Sequence, residues 1–221
     1  MRCGLCFQKA ERFLKDVGGV DFYYCSSCDF VFKDPVSFWS MEDQKSRYDL
    51  HENDPEDEGY RAYFKRFLDF VTPYMPKSGS VLDFGCGRST LLADMLREKG
   101  FSADAYDPIY HPEIPYHSKK YDIVVSTEVF EHLHDPISVF ETLLGVLSEE
   151  GVLALQTQFF PAEVSEFARW YYHKDPTHIV FFRAETFSHL ARRYDCELLA
   201  HNGKNMVVLR KKKRKREVCS D

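Results

Sequence analysis

Three groups of residues in this chain have the types and spacing to do chemistry. Cys3 and Cys6 form one C-x2-C pair and Cys25 and Cys28 another, so four thiolates in two close pairs can surround a tetrahedral Zn²⁺. Four protein ligands leave such an ion no open position, which makes it structural and not catalytic. The competing reading, redox-active or disulfide-paired cysteines, belongs to a different compartment chemistry. The second group is the loop Asp83, Phe84, Gly85, Cys86 and Gly87, followed by Asp107. The third is Glu128, Glu131 and His132, which on a helical turn would share one face and could bind a divalent cation.

These groups need elements to hold them. Residues 60–71 place Phe64, Phe67, Leu68 and Val71 on one helical stripe, which Pro73 and Pro76 end. From there short β runs alternate with amphipathic helices. Strands are predicted at 80–85, 101–107, 121–126 and 151–159, and helices at 90–100, with Leu92, Met95 and Leu96 inward, and at 138–151. A helix over 184–194 and two closing strands, 196–201 and 205–210, complete the pattern. Repeated βαβ units imply an α/β, Rossmann-like doubly wound and mostly parallel sheet. Ahead of it, Gly18-Gly19 supplies a turn between two short strands of a cysteine module. The expected organisation is a zinc-ribbon module at 1–35, a linker at 36–59, the catalytic domain at 60–210 and a basic tail at 211–221.

In open α/β sheets the ligand lies beyond the carboxyl ends of the strands, over the first strand-turn-helix. The loop from Asp83 to Gly87 occupies that place, and Thr90 stands where a dinucleotide fingerprint would put its third glycine. A pyrophosphate needs a helix amino end and a close backbone, whereas the carboxylate of Asp83 would repel it. A cationic ligand is therefore expected. S-adenosylmethionine fits, with its ammonium and sulfonium and no phosphate, and Asp107 is placed to accept the ribose hydroxyls.

The cysteine pattern resembles a zinc ribbon, and residues 81–210 resemble the class I S-adenosylmethionine-dependent methyltransferases, whose cofactor loop reads VLDxGCGxG. The stretch 108–120 departs from that family in leaving little room for the usual third strand. The spacing ExxEH at Glu128, Glu131 and His132 is similar to metal-dependent O-methyltransferases, among them small-RNA 2′-O-methyltransferases and ubiquinone-pathway enzymes, which hold Mg²⁺ or a similar ion with a further histidine. That resemblance makes His178 the matching histidine here. Two readings of the cluster stay open, since related sequences without a metal use the acid and histidine for packing, capping or cofactor contacts. Either His132 or His178 could instead act as a base. Trp170, Tyr171 and Tyr172 fall where these folds cover their substrate and could stack on a planar acceptor, while Phe181 and Phe182 read as core. Tyr48 and His51 are candidates to close the pocket from the linker.

Composition narrows the partners. The chain has 221 residues and a net charge of −6, yet residues 210–216 alone are seven consecutive basic side chains, so the body is acidic. A broad nucleic-acid surface would need a basic field, which only the tail offers. No apolar run approaches the roughly 20 residues of a membrane span, and Met1 leads into the cysteine motif instead of a signal peptide, so a cytoplasmic protein is expected. The function this implies is methyl transfer from S-adenosylmethionine to an oxygen or nitrogen of a small molecule. Two alternatives remain: an RNA methyltransferase gripping through ribbon and tail, and a non-catalytic cofactor-binding interaction protein. The oligomeric state does not follow from the sequence.

Overall fold

A computed structural model describes residues 1–17, 19–39 and 58–213. Tyr48, His51, most of the linker and residues 214–221 of the tail lie outside the described residues, as does Gly18. Three strands come first: β1 (Glu11–Val17), β2 (Val20–Cys25) and β3 (Phe30–Lys33), an antiparallel meander.

The larger body begins with helix α1 (Glu58–Val71), whose buried residues are Phe64, Phe67, Leu68 and Val71. Next come β4 (Ser80–Phe84), α2 (Leu91–Glu98), β5 (Ser102–Tyr106) and β6 (Tyr121–Thr127). Helix α3 (Pro136–Val146) starts at Asp135, whose side chain accepts from the Ser138 amide, and runs into β7 (Leu147–Gln156). After a short helix α4 (Val164–Arg169) come β8 (Val180–Phe181), α5 (Ala184–Arg193), β9 (Cys196–His201) and β10 (Met206–Lys211).

Among the described residues these strands make two sheets. The larger has the order β5-β4-β6-β7-β10-β9, parallel from β5 to β7, with β10 antiparallel to both neighbours. Chain order reverses at β4, which pairs with β5 on one side and β6 on the other, so the crevice for a ligand opens at the carboxyl end of β4. Alternate residues of each strand feed opposite cores. Val81, Ile123, Val125 and Ala154 pack with α1 and α2, while Leu82, Val124, Leu153 and Leu155 pack with α3 and α5. A sheet covered on both faces needs apolar side chains on both, which is why these strands are near-continuous hydrophobic runs.

The smaller sheet has the order β1-β2-β3-β8, so the cysteine module is completed by a strand from the larger body. One boundary differs from the sequence reading. The helix expected over 138–151 ends at Val146, and residues 147–151 already belong to β7. Glu150 takes a positive φ of 63°, and the register with β6 jumps there, so the Glu-rich segment is a bulge in the strand and not a helix end. The sheet stops at β5: residues 108–120 hold a 3-10 turn, Tyr116–Ser118, where a third strand would stand.

Candidate active site

The carboxyl ends of β4, β5 and β6 open into a cavity of about 910 Å³. On its β4 side the loop Phe84-Gly85-Cys86-Gly87 is tied down by backbone bonds: the amides of Gly85 and Cys86 donate to the Tyr106 carbonyl at 2.7 and 3.1 Å. Gly85 and Gly87 both have positive φ, and a Cβ on Gly85 would stand 2.3 Å from Val129 Cγ2. This turn passes so near the β6 loop that only glycine fits.

Asp83, the penultimate residue of β4, belongs to this wall and is 2% exposed. Its Oδ2 is buried without a hydrogen-bond partner, and burial pushes the carboxyl up to about 7, against the stabilising Ala93 amide. Asp83 belongs to the cavity wall, and an unpaired buried carboxylate oxygen is costly unless a cation or donor meets the carboxyl. The cavity is therefore suited to a positively charged ligand group. Asp107 is more occupied than the sequence suggested. It accepts from Gly87 N at 3.1 Å through Oδ2, and from Ile109 N and Tyr110 N at 2.8 and 3.1 Å through Oδ1. A carboxylate has about four acceptor sites, so one is left for a hydroxyl, and its main work here is to lash two loops together.

The acid and histidine cluster follows β6, but not on one face of a helix. Glu128 adopts a left-handed φ of 53°, and Phe130–His132 is a 3-10 turn. A left-handed non-glycine residue costs about 1–3 kcal/mol, and such strain concentrates at functional sites. The twist turns Glu128 toward helix α1, where Tyr63 donates to its Oε1 at 2.9 Å. Tyr172 donates to its Oε2 at 2.8 Å and also contacts Oε1 of Glu131. Glu131 is fully buried, and its Oε2 has no partner. Burial, then the charge of Glu131, pushes Glu128 up to about 8, and burial raises Glu131 as well.

Glu131, His132 and His178 bring ligand atoms within 4.8 Å of one another, whereas Glu128 stands outside that trio, joined to it through Tyr172. His132 Nδ1 lies 3.0 Å from the Thr177 carbonyl and His178 Nδ1 lies 2.8 Å from the Tyr172 carbonyl. A carbonyl only accepts, so both Nδ1 atoms carry a proton, and in the neutral ring Nε2 is the nitrogen with the lone pair. That is the arrangement of metal-binding histidines, whose other nitrogen donates to a carbonyl or carboxylate. Burial and the neighbouring His132 lower His178 to about 3, which makes it a weak base and a good neutral ligand.

Of the aromatic trio, Tyr171 is exposed at the cavity mouth, and Tyr172 lines the cavity with its hydroxyl committed to the two acids. Trp170 packs behind them on Phe167 and Phe181. Phe181 and Phe182 are buried core. Sequence reading missed Tyr60 and Tyr63, which line the cavity from α1. Their i, i+3 spacing beside the buried stripe was the available signal.

In the cysteine module Cys3 and Cys28 have sulfurs 3.7 Å apart and Cys6 and Cys25 3.4 Å, and all four thiols are free. Those separations exclude disulfides, which need about 2.05 Å. They are close to the edge of a tetrahedron with Zn–S bonds of about 2.3 Å. The Leu5 amide donates to Cys3 Sγ at 3.3 Å, and a bond from Cys28 pulls the Cys3 thiol down to about 5, so one thiolate is already favoured.

Residues 57–201 match the family described as Methyltransferase domain. The chain belongs to that family. No curated protein is matched. Among solved structures it is similar to a Galdieria sulphuraria protein thought to be a sarcosine dimethylglycine methyltransferase, with a TM-score of 0.55 and 15% identity over 79% of this chain and 99% of that one. It is also similar to an O-methyltransferase family protein from Burkholderia thailandensis, with a TM-score of 0.50 and 12% identity over 78% of this chain and 64% of that one. At these identities the likeness establishes the Rossmann-like methyltransferase fold. Among the described residues no helix is long and apolar enough to cross a membrane.

Proposed function

We propose that this methyltransferase uses S-adenosylmethionine and acts on an oxygen or nitrogen nucleophile of a small molecule. A divalent cation held by Glu131, His132 and His178 would assist it, and zinc would fill the four-cysteine site. The observation that carries the cofactor reading is the buried Asp83 carboxyl in the cavity wall, one of whose oxygens has no hydrogen-bond partner. An ammonium group satisfies it, and a pyrophosphate is repelled by it. The residues present fit the cofactor: Gly85 and Gly87 let the backbone approach closely, Asp107 keeps an acceptor site for a ribose hydroxyl, and the cavity is of ordinary ligand size.

When bound, S-adenosylmethionine supplies an electrophilic methyl group on a sulfonium sulfur. Transfer in line to a nucleophile is helped mainly by positioning and by exclusion of water. Glu128 and Tyr172 stand at the carboxyl end of β6 and on the facing segment, so they border the cofactor and acceptor halves of the cavity. The exposed ring of Tyr171 stands at the mouth. A cation at the Glu131, His132 and His178 trio would supply charge that lowers the pKa of an acceptor hydroxyl. Glu128, outside the cation trio and bonded to the Tyr63 and Tyr172 hydroxyls, would be the carboxylate that takes up a proton released from the acceptor.

Calorimetry with S-adenosylmethionine and S-adenosylhomocysteine on wild type and Asp83→Ala, with metal analysis of the same samples, tests the reading. Binding by the wild type and marked weakening in the variant are expected. Undiminished affinity in Asp83→Ala refutes the role given to that carboxylate.

A further inference from the structure

The cysteine module is joined to the acceptor half of the cavity by a continuous set of bonds. Strand β3 pairs with β8, Val31 against Phe181 and Phe32 against Val180. One residue on, the Lys33 amide donates to the Ile179 carbonyl at 2.9 Å, and the Ile179 amide donates to the Glu131 carbonyl at 2.8 Å. The Lys33 side chain is buried, 4% exposed, and its Nζ donates to the Asp175 carbonyl at 2.7 Å. Asp175 Oδ1 accepts from the amide and hydroxyl of Thr177 at 2.9 and 2.7 Å. The Thr177 carbonyl then orients His132, and the Tyr172 carbonyl orients His178.

We propose that Lys33 is a positioning residue: from the cysteine module it fixes the segment 172–179, and through that segment's carbonyls it sets the tautomer and direction of both His132 and His178. The module thus backs the segment 172–179, whose Tyr172, Asp175, Thr177 and His178 line the cavity, and is not an independent appendage. A packing role alone would be served by methionine or leucine, which avoid the cost of burying an ammonium. That cost is visible, since burial lowers Lys33 to about 8. The amine is explained by the carbonyl it holds, on the one turn that carries both histidine acceptors. The orientation is read from the bonds alone, while its consequence for metal binding rests on the proposed cation site.

The test uses the full zinc-loaded chain as wild type, Lys33→Met and Lys33→Arg. Three quantities are measured: solvent exchange of the two imidazole N–H protons by NMR, Mn²⁺ affinity, and S-adenosylhomocysteine affinity. In Lys33→Met the imidazole protons are expected to exchange faster and Mn²⁺ affinity to fall about tenfold, the size of an outer-shell loss, with cofactor affinity and zinc content unchanged. Lys33→Arg should recover most of both effects. Unaltered imidazole exchange and Mn²⁺ affinity in a folded Lys33→Met overturn the proposal. Lys33→Leu, which also lacks a donor for the Asp175 carbonyl, gives the same comparison if the methionine variant does not fold. Should the wild type bind neither Mn²⁺ nor S-adenosylhomocysteine, the functional reading fails while imidazole exchange still decides the role of Lys33.

Discussion

His132 and His178 stand edge to face, ring centroids 4.7 Å apart at 68°, each with Nδ1 turned to a backbone carbonyl. Two lone pairs are thereby kept beside a buried carboxylate, Glu131, that has an oxygen to spare. Nothing in ordinary core packing requires that combination, because a lone buried acid is cheaper to replace with an amide.

Removing one member should therefore abolish cation binding without unfolding the protein. Glu131→Gln and His178→Ala are each expected to weaken Mn²⁺ by more than about 100-fold, beyond what outer-shell losses cause. Electron paramagnetic resonance titration checks this, and retained tight binding in both variants defeats the site.

The carboxyl of Asp83 is raised by burial from 3.8 to about 7 in the folded chain. A group whose folded pKa is raised binds more protons folded than unfolded, so its contribution to stability is present at low pH and lost as pH climbs from about 4 through 7. The unliganded wild type should lose stability over that window relative to Asp83→Asn, by up to a few kcal/mol in order of magnitude. Melting both proteins across the range measures it. Cofactor affinity should run the other way and strengthen above about pH 7, where the carboxylate is charged.

Gly85 is held at a φ of +78° with Val129 Cγ2 in the space of a Cβ. Gly85→Ala should cost roughly 1–3 kcal/mol for backbone strain plus the collision. Adding Val129→Ala removes the collision and leaves the strain. Chemical denaturation of the single and double variants should show partial recovery, and full recovery would mean that φ was immaterial.

The four-sulfur cluster predicts one zinc per chain. Cys25→Ser, which takes away a sulfur 3.4 Å from that of Cys6, should drop zinc content and loosen β3. Hydrogen exchange should then rise at Lys33, whose amide donates to the Ile179 carbonyl, before it rises at β4 or β6, because β8 is paired to β3.

Much of this fold could be read in the residues. The stripe Phe64, Phe67, Leu68 and Val71 recurs at helical spacing, and those four are the buried residues of α1. The near-continuous apolar runs of β4, β6 and β7 announced strands covered on both faces. The bulge at 147–151 was hidden because two glutamates beside a leucine suit a helix equally well, and only pairing with β6 decides between them. Within the site, the cysteine pairs and the Asp83 loop are local patterns and stood out. Glu128 was assigned to a helical face that its left-handed backbone rules out. Tyr63 and Lys33 were invisible for a plainer reason: their partners Glu128 and Asp175 lie 65 and 142 positions along the chain, and no periodicity encodes such meetings.

That long separation also shapes how the molecule is made. At bacterial or eukaryotic synthesis rates of about 5–20 residues per second, β3 leaves the ribosome roughly 7–30 s before the segment it must join. During that interval its outer backbone edge has no mate, so the nascent meander presents an open strand edge to its neighbours until β8 arrives to cover it.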